Sequence, residues 1–432
     1  MTAIHQATSP TTVPPKEPFR VQVTDLTESI LNDAVTAVNG VCLSTESADR
    51  SANLPYTQAA VLTPIVGKEL DLQYTENLPI RPPDKDEVTV KIAWTGICRS
   101  DACFSLGPEP GFPSHDHVAG HEGIGIVVQS HDKSLMHRPV AARYIGSTCG
   151  FCHYCLKGLI ESCLNQTNFP KQHRGTYEQY ITVPWSALMP LPDWVFGENS
   201  KISPAVYTGA LCSGSAALKS LRAANIRPGD VVIISGILGA IRHFAGMMAK
   251  RVFQARVIGL DWDWKYQRLP ASFAGENIFD IFISACTTPN DQIPWDKFLN
   301  SIRRACSELR GTKANDYSLM ADTVIANASS TSGFERLDDL VSDGGSIIYV
   351  GAPRGECSVK VPLLTLLGRQ LRLQGSLMGG PEEVLQVMDW IRSGLIKPEV
   401  TDISLPEVSR YLGDSVDFKT FGKVVVRVNG YQ

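Results

Sequence analysis

VVIISGILGAIRHFAG, residues 231–246, is the stretch that decides the fold. Its first four residues form an apolar run of strand length, as expected of a strand buried on both faces of a parallel sheet. Gly236 and Gly239 follow and open a helical segment, and the next strand, VIGLD, ends at Asp261. This order predicts a Rossmann βαβ unit, in which glycines permit a tight turn and a close approach of the backbone to a diphosphate.

Helical and strand-like segments alternate within this unit and on both sides of it. They are residues 210–223, 240–250, 255–260, 321–325 and 345–350. Such alternation predicts a doubly wound α/β domain with a parallel sheet. We expect residues 287–317 to form an enlarged helix–loop insertion. The tail is predicted to form a helix over 382–392 and a closing strand over 421–428.

Between residues 58 and 190 the pattern changes to short β segments separated by Gly and Pro. The segments are AAVLTPI, VTVKIAW, GIGIVV, PVAARYI and EQYITV. This spacing predicts a compact, barrel-like β domain. Ahead of it, residues 1–20 are rich in Thr, Pro and Ser and are predicted to be disordered. Residues 25–38 have the apolar spacing of a short amphipathic helix that packs on the body or on a partner subunit.

Length and composition bound the function class. The 432 residues exceed one ordinary core and therefore predict two domains. The formal net charge is -4, so we expect neither nucleic acid nor a membrane as a partner. The N-terminus lacks the pattern of a signal or transit peptide, so we expect a cytoplasmic protein. Disulfides are rare in that compartment, so the 11 cysteines need another explanation.

Cys149, Cys152, Cys155 and Cys163 lie together in STCGFCHYCLKGLIESC. Thiolate sulfur suits Zn²⁺, and two-residue gaps let successive cysteines surround one tetrahedral ion. Four protein ligands close such a site to substrate, so the sequence predicts a structural zinc lobe over 146–165. Disulfide bonds between these cysteines are the alternative.

A second group of metal ligands is dispersed along the chain. GICRSD supplies Cys98, GHEG supplies His121 and ALCSG supplies Cys212. Two sulfurs and one imidazole leave one zinc coordination position open, which is the arrangement that a Lewis acid needs. Each residue alone is a weak candidate, because free cysteines are usually buried packing residues.

From residue 58 to residue 428 the chain resembles the zinc-dependent alcohol dehydrogenases of the medium-chain dehydrogenase superfamily, especially the fungal tetrameric type. The resemblance is carried, in one order, by GICRSD, GHEG, the four-cysteine lobe, GTYEQY, LCSG, the ISG turn, VGAP and GKVVVRV. It implies a homodimer or homotetramer, with the strand near 345–350 and its neighbours contributing to subunit contacts. It implies four parts: an extension (1–56), a GroES-like β-barrel catalytic domain (57–212), a Rossmann cofactor domain (213–376) and a return to the catalytic domain (377–432).

Carried over by position, the resemblance implies that Cys98, His121 and Cys212 hold a catalytic zinc. Glu122 resembles the acid that can approach this metal. Asp101 would accept a hydrogen bond from the His121 ring and so set its orientation and tautomer.

The remaining positions concern proton transfer and the cofactor. Ser100 matches the hydroxyl that hands the substrate proton outward, and Arg99 matches a basic residue on the cofactor diphosphate. The glycine turn, Asp261 and Lys265 are expected to bind the cofactor, and VGAP and GKVVVRV bring Val350 and Lys423 to it. Two zinc ions per chain and NAD(H) are thus the expected cofactors, and an alcohol or carbonyl compound is the expected substrate.

The chain departs from this pattern in two places. Cys103 stands where the proton relay usually ends in a histidine, and a thiol is a poor shuttle near neutrality. His115 or His117 is a possible substitute. Arg242 stands where the turn usually has a glycine, and it could either crowd the turn or lend charge to the diphosphate.

Asp261 stands at the position suited to the adenosine ribose hydroxyls. A carboxylate at that position disfavours the phosphate of NADP, so NAD is the expected cofactor. Lys265 and Arg268 moderate this preference.

Three hypotheses follow from these residues. The first is a zinc-dependent oxidoreductase that transfers a hydride between NAD(H) and an alcohol, aldehyde or ketone. The second is a redox-silent enzyme on the same scaffold that uses zinc for a lyase, isomerase or dehydration step. The third, a binding or scaffold protein, is disfavoured by the intact set of ligands in the dispersed group.

Overall fold

The computed structural model describes residues 54–62, 72–106, 118–197, 201–270, 278–286, 294–312, 319–327, 331–351 and 357–430. The predictions for residues 1–20 and 25–38 lie outside these ranges. Within them, no helix combines the length and the apolar character that a membrane crossing requires.

The first half of the chain folds into β structure, as predicted. Its strands are β1 (Thr57–Leu62), β2 (Gln73–Pro79), β3 (Glu87–Gly96), β4 (Glu122–Ser130), β5 (Pro139–Arg143), β6 (Ile145–Ser147), β7 (Thr167–Asn168), β8 (Tyr180–Pro184) and β9 (Met189–Pro190). All five predicted segments contain a strand. The strand β2 was not predicted, because its sequence QYTENLP is mostly polar and exposed.

Strand β3 is the centre of this half. Nine of its ten residues are buried or partly buried, and it pairs antiparallel with β4 and with β8. Its helices are short: α1 (Arg99–Leu106) directly after β3, and α2 (His153–Leu156) within the four-cysteine lobe.

The second half forms a parallel sheet with helices on both faces. Its strands are β10 (Val231–Ser235), β11 (Arg256–Trp262), β12 (Ile281–Cys286), β13 (Ala321–Ala326), β14 (Val341–Tyr349) and β15 (Arg372–Gly375). Its helices are α3 (Ser213–Ala224), α4 (Ala240–Arg251), α5 (Asp263–Tyr266), α6 (Trp295–Arg310) and α7 (Leu363–Gly368). The strands lie in the order β12-β11-β10-β13-β14-β15, which is the 3-2-1-4-5-6 order of a Rossmann sheet.

Alternate residues of β10 explain why the helices cover both faces. Val232 and Ile234 pack in the core with residues of α3 and α4, whereas Val231 and Ile233 pack in the core with residues of α6. All four side chains are fully buried, so the continuous apolar run correctly predicted a strand covered on both sides. The described part of 287–317 is Pro294, α6 and the two residues after it, which lie between β12 and β13 in the chain.

The tail returns to the first sheet. It contains α8 (Pro381–Arg392), β16 (Val400–Ser404), α9 (Val408–Val416) and β17 (Lys423–Arg427). Strand β17 pairs with β16 on one side and with β3 on the other, so residues from both ends of the described chain form one sheet. The domain boundaries at 212 and 376 stay predictions, and this path of the chain is compatible with them.

The parallel sheet has β12 at one edge and β15 at the other. Strand β14 has a partner on each side, so residues 345–349 have no free edge, and the sheet edge next to them is β15. Helix α7, which precedes β15 in the chain, exposes Leu363, Leu364 and Leu367 by 66%, 84% and 63%.

Candidate functional site

Three distant segments meet at the dispersed cysteine–histidine group. Cys98 directly precedes α1, His121 directly precedes β4, and Cys212 is the residue before α3. The register of β3 and β4 pairs Thr95 with Gly123, and this pairing brings Cys98 and His121 to the same end of the sheet. One ligand atom each from Cys98, His121, Glu122 and Cys212 lies within 4.8 Å of all the others.

A fully buried carboxylate, that of Asp101, connects these segments. Its Oδ1 accepts hydrogen bonds from Nδ1 of His121 (2.8 Å) and from the backbone N–H of Gly120 (3.2 Å). Its Oδ2 accepts from the hydroxyl of Tyr177 (2.7 Å) and from the N–H of Cys98 (3.2 Å). Nδ1 of the imidazole is thereby the donor, and Nε2 keeps its lone pair for a metal.

The thiols of Cys98 and Cys212 share a hydrogen bond. This bond lowers the pKa of the Cys98 thiol and raises that of the Cys212 thiol. The hydroxyl of Ser100 donates a hydrogen bond to Sγ of Cys98 at 3.0 Å. Two sulfurs in contact, one of them biased toward thiolate, are a donor set that fits a zinc ion.

Glu122 and Lys423 form a fully buried ion pair beside this group. Nζ of Lys423 lies 2.6 Å from Oε1 of Glu122 and also donates to the carbonyl of Ile97 at 2.9 Å. Burial raises the pKa of Glu122 to about 7, against the opposing charge of Lys423. Gly96 leaves room for the pair, because a Cβ there would overlap the Glu122 carboxylate.

The four-cysteine lobe brings its sulfurs into one cluster. The Sγ–Sγ distances are 3.5 Å for Cys152–Cys155, 3.6 Å for Cys149–Cys163 and 3.9 Å for Cys149–Cys155. A disulfide would need about 2.0 Å, whereas sulfurs at about 2.3 Å from a tetrahedral zinc are about 3.8 Å apart. All four cysteines are free thiols, and the cluster fits the predicted metal site.

A groove with an empty volume of about 1180 Å³ runs past Cys98 to the glycine turn. Its lining includes five of the predicted cofactor residues, Arg99, Gly236, Gly239, Asp261 and Lys265. Asp261 accepts hydrogen bonds from the N–H of Leu238 (3.0 Å) and of Trp262 (2.9 Å), so its carboxylate supports the turn. Trp262 also lines the groove and stacks on Trp264, with ring centroids 5.8 Å apart.

The structure does not bring the other two predicted cofactor residues to the groove surface. Lys423 is fully buried on Glu122, although its neighbours Gly422 and Val424 line the groove. Val350 is 5% exposed, does not line the groove, and donates its N–H to the carbonyl of Ala326 at 2.9 Å. Both assignments came from motif position, which does not say where a side chain points.

The departures from the family pattern have different outcomes. Cys103 lies in α1, but its side chain is outside the described part, as are His115 and His117. Arg242 is described, and its guanidinium lies on the glycine turn: a Cβ added at Gly236 would overlap Nη1, and one at Gly239 would be 3.2 Å from Cζ.

Three site residues were not predicted. Tyr177 is part of the quoted motif GTYEQY, but only the fold brings its hydroxyl to Asp101. Phe418 lines the groove with its ring 4.3 Å below the Arg99 guanidinium, and Asn327 lines it after β13. A lone Phe or Asn in a loop carries no local signal of such a position.

The comparisons agree with this architecture. Residues 84–193 match the alcohol dehydrogenase GroES-like domain family. Alcohol dehydrogenase 2 of Caenorhabditis elegans is 25% identical over 380 residues, which cover 87% of this chain and 98% of that protein. An alcohol dehydrogenase of Geobacillus stearothermophilus is 25% identical over 349 residues, covering 80% and 92%.

Solved structures share the fold. Acetophenone reductase from Geotrichum candidum, in complex with NAD, has a TM-score of 0.65 at 22% identity and covers 87% of this chain and 98% of its own. An NAD-dependent alcohol dehydrogenase has a TM-score of 0.67 at 23% identity, covering 86% and 100%. These likenesses confirm the predicted fold class, a GroES-like domain with a Rossmann domain.

The buried Lys265 generates a stability prediction. It is 4% exposed, and burial lowers the pKa of its ammonium to about 8 from 10.5. Below about pH 8 the Lys265 amine is protonated in both the folded and the unfolded chain. The folded state then carries the full free-energy cost of the buried charge, at most about 3 kcal/mol. This penalty disappears as the pH rises from about 8 to above the pKa of the unfolded chain.

We therefore expect Lys265→Met to be more stable than wild type at pH 7, with a difference that narrows by pH 9.5. Denaturant unfolding at both pH values measures this difference in the free energy of unfolding. Lys91→Met, at an exposed lysine, is the matched control. A Lys265→Met protein that is less stable at pH 7, or equally shifted at both pH values, would contradict this account.

Proposed function

Because the chain belongs to the medium-chain alcohol dehydrogenase family and is an enzyme of the oxidoreductase class, we propose that it transfers a hydride between NAD(H) and an alcohol, aldehyde or ketone with the help of zinc. The observation that carries this proposal is the convergence of Cys98, His121 and Cys212, of which Cys98 lines the groove. Two thiols, one imidazole and an open position are the donor set of a catalytic zinc site.

The chain's own residues would prepare this site. When bound, zinc supplies a Lewis acid for the substrate oxygen, and the nicotinamide supplies or accepts the hydride. Asp101 holds the His121 ring with Nδ1 as the donor, and the Tyr177 hydroxyl holds Asp101 in turn. Arg99 and Phe418 line the same groove as Cys98, with the Arg99 guanidinium 4.3 Å from the centre of the Phe418 ring.

Ser100 is proposed to pass the proton between the substrate and solvent. Its hydroxyl is half-buried and already contacts Sγ of Cys98 at 3.0 Å. A hydroxyl can accept one proton while it donates another, so it can relay without a pKa near neutrality. Glu122 is proposed to offset the charge of Lys423 beside the metal group.

NAD is proposed as the cofactor on the strength of Asp261, which lines the groove and is the last residue but one of β11. A carboxylate at the end of the second Rossmann strand favours ribose hydroxyls over the additional phosphate of NADP. The four-cysteine lobe is proposed to hold a second, structural zinc. Two thiolate-rich sites suit a reducing compartment, so we propose the cytoplasm as the location.

Activity tests the proposal directly. We expect the purified protein to reduce NAD faster than NADP with at least one member of a panel of primary, secondary and aromatic alcohols, measured by the absorbance of the reduced cofactor. Cys98→Ser should lower turnover by more than about 100-fold, and Asp101→Asn by about 10- to 100-fold, since outer hydrogen bonds to a metal ligand typically contribute that much.

The exposed Cys357→Ser serves as the control and should be unaffected. No reduction of either cofactor across the panel would overturn the proposal. Two bound zinc ions without binding of NADH or NADPH would favour the second candidate, a zinc-dependent lyase, isomerase or dehydratase on this scaffold. That candidate corresponds to the case in which the guanidinium of Arg242 on the glycine turn obstructs the dinucleotide.

Metal content tests the four-cysteine lobe separately. We expect elemental analysis to find two zinc ions per chain in wild type and one in Cys163→Ser. Because a closed zinc site contributes to folding, this variant should also melt at a lower temperature. Unchanged zinc content in Cys163→Ser would show that the four-cysteine lobe does not hold zinc. Cys357→Ser again provides the matched control.

We further propose a homodimer formed through β15 and α7. An unpaired strand edge beside three exposed leucines is a surface that proteins normally cover, and a second copy of the same surface can cover it symmetrically.

Leu364→Glu is expected to shift the protein from dimer to monomer in light-scattering measurements. Leu319→Glu, at another exposed leucine, should leave the assembly unchanged. A Leu364→Glu protein with the mass of the wild-type assembly would place the interface elsewhere.

A further inference from the structure

The glycine turn is covered by the side chain of Arg242. Strand β10 ends at Ser235, Gly236 turns with a φ of +72°, and α4 begins after Gly239, which provides no side-chain cap. In a Rossmann fold this is the surface that a diphosphate contacts through backbone N–H groups. Here the Arg242 guanidinium lies against both glycines.

Part of the guanidinium is held there without a protein partner among the described residues. Arg242 is half-buried, and its Nε is buried and has no hydrogen-bond partner. A buried N–H without a partner is costly, because this donor is removed from water and remains unsatisfied. The arrangement is therefore suited to an anion that arrives with the ligand.

The charge of the groove points to the same kind of ligand. Arg99, Arg242 and Lys265 line it, and Asp261 is the single acid among the described lining residues. Burial lowers the pKa of Arg242, and the nearby charge of Arg99 lowers it further against the opposing charge of Asp261. Three cations and one carboxylate leave two positive charges, which match the two negative charges of a dinucleotide diphosphate.

The shape of the Arg242 side chain favours a contact with phosphate over a simple obstruction of the turn. A planar guanidinium presents parallel N–H donors that match phosphate oxygens in a bidentate way, which a lysine ammonium cannot do. An obstructing arginine would be expected to pair with an acid of the groove, yet both oxygens of Asp261 accept backbone N–H groups instead.

We propose that Arg242 binds the diphosphate of the dinucleotide and replaces the backbone of the glycine turn as its principal contact, with Arg99 as the second cation. This inference rests on the proposed use of NAD(H). On this inference a side chain recognises the diphosphate, so the affinity is sensitive to salt and to the length of the side chain at position 242.

Binding measurements with the dinucleotide and with parts of it test this contact independently of turnover. Calorimetric titrations use adenosine, ADP-ribose and NADH with wild type, Arg242→Gln, Arg242→Lys and Arg242→Gly, at low and high salt. Arg251→Gln, at the far end of α4, is the matched control. Thermal melting verifies that each variant is folded.

We expect Arg242→Gln to weaken ADP-ribose and NADH at least tenfold while adenosine changes less than twofold. Arg242→Lys should recover part of the loss, and the salt dependence of ADP-ribose binding should become shallower in Arg242→Gln. Arg251→Gln should bind all three ligands as wild type does.

Tighter or unchanged binding of ADP-ribose to Arg242→Gln and Arg242→Gly would overturn the inference and identify Arg242 as an obstruction, while leaving the use of NAD intact. Failure of wild type and of every variant, including Arg242→Gly, to bind NADH or ADP-ribose would overturn both the inference and the proposed function. If Arg242→Gln does not fold, Arg242→Lys and Arg242→Gly decide between these outcomes.

Discussion

The site depends on one buried carboxylate. Asp101 accepts hydrogen bonds from the imidazole of His121, the hydroxyl of Tyr177 and two backbone N–H groups, and so joins three segments of the first sheet. The Asp101 carboxylate is removed from water, so the loss of any one of these donors would leave a carboxylate oxygen unsatisfied and cost free energy. The same four hydrogen bonds that satisfy the carboxylate also orient the imidazole, and local stability and site geometry therefore have a common cause.

The two candidate metal groups differ in how they arise from the chain. The four-cysteine cluster needs only a short loop, because its ligands lie between Cys149 and Cys163 and its turns are local. The dispersed group needs the pairing of β3 with β4 and the start of α3. A local site can form with its own segment, whereas the dispersed site exists only once both halves of the molecule have folded.

This difference also explains what could be predicted from sequence. The apolar run of β10 and the spacing of the four cysteines are local signals: the first correctly predicted a buried strand, and the cysteines of the second lie in one cluster. Cys98, His121 and Cys212 could be grouped only through the order of family motifs, because no local spacing relates them. The partner of Lys423 and the position of the Arg242 guanidinium could not be predicted, since each depends on side-chain packing between segments far apart in sequence.

The path of the tail has a consequence for biosynthesis. Lys423 reaches the carbonyl of Ile97 across 326 positions of sequence, and β17 fills the place beside β3 in the first sheet. On a ribosome, the Rossmann half emerges complete while the first sheet still lacks this strand. The half of the protein that is translated first can therefore complete its sheet only after β17, near the end of the chain, has been synthesised. A nascent chain or a C-terminal truncation exposes an unpaired edge of β3 next to a group of thiols.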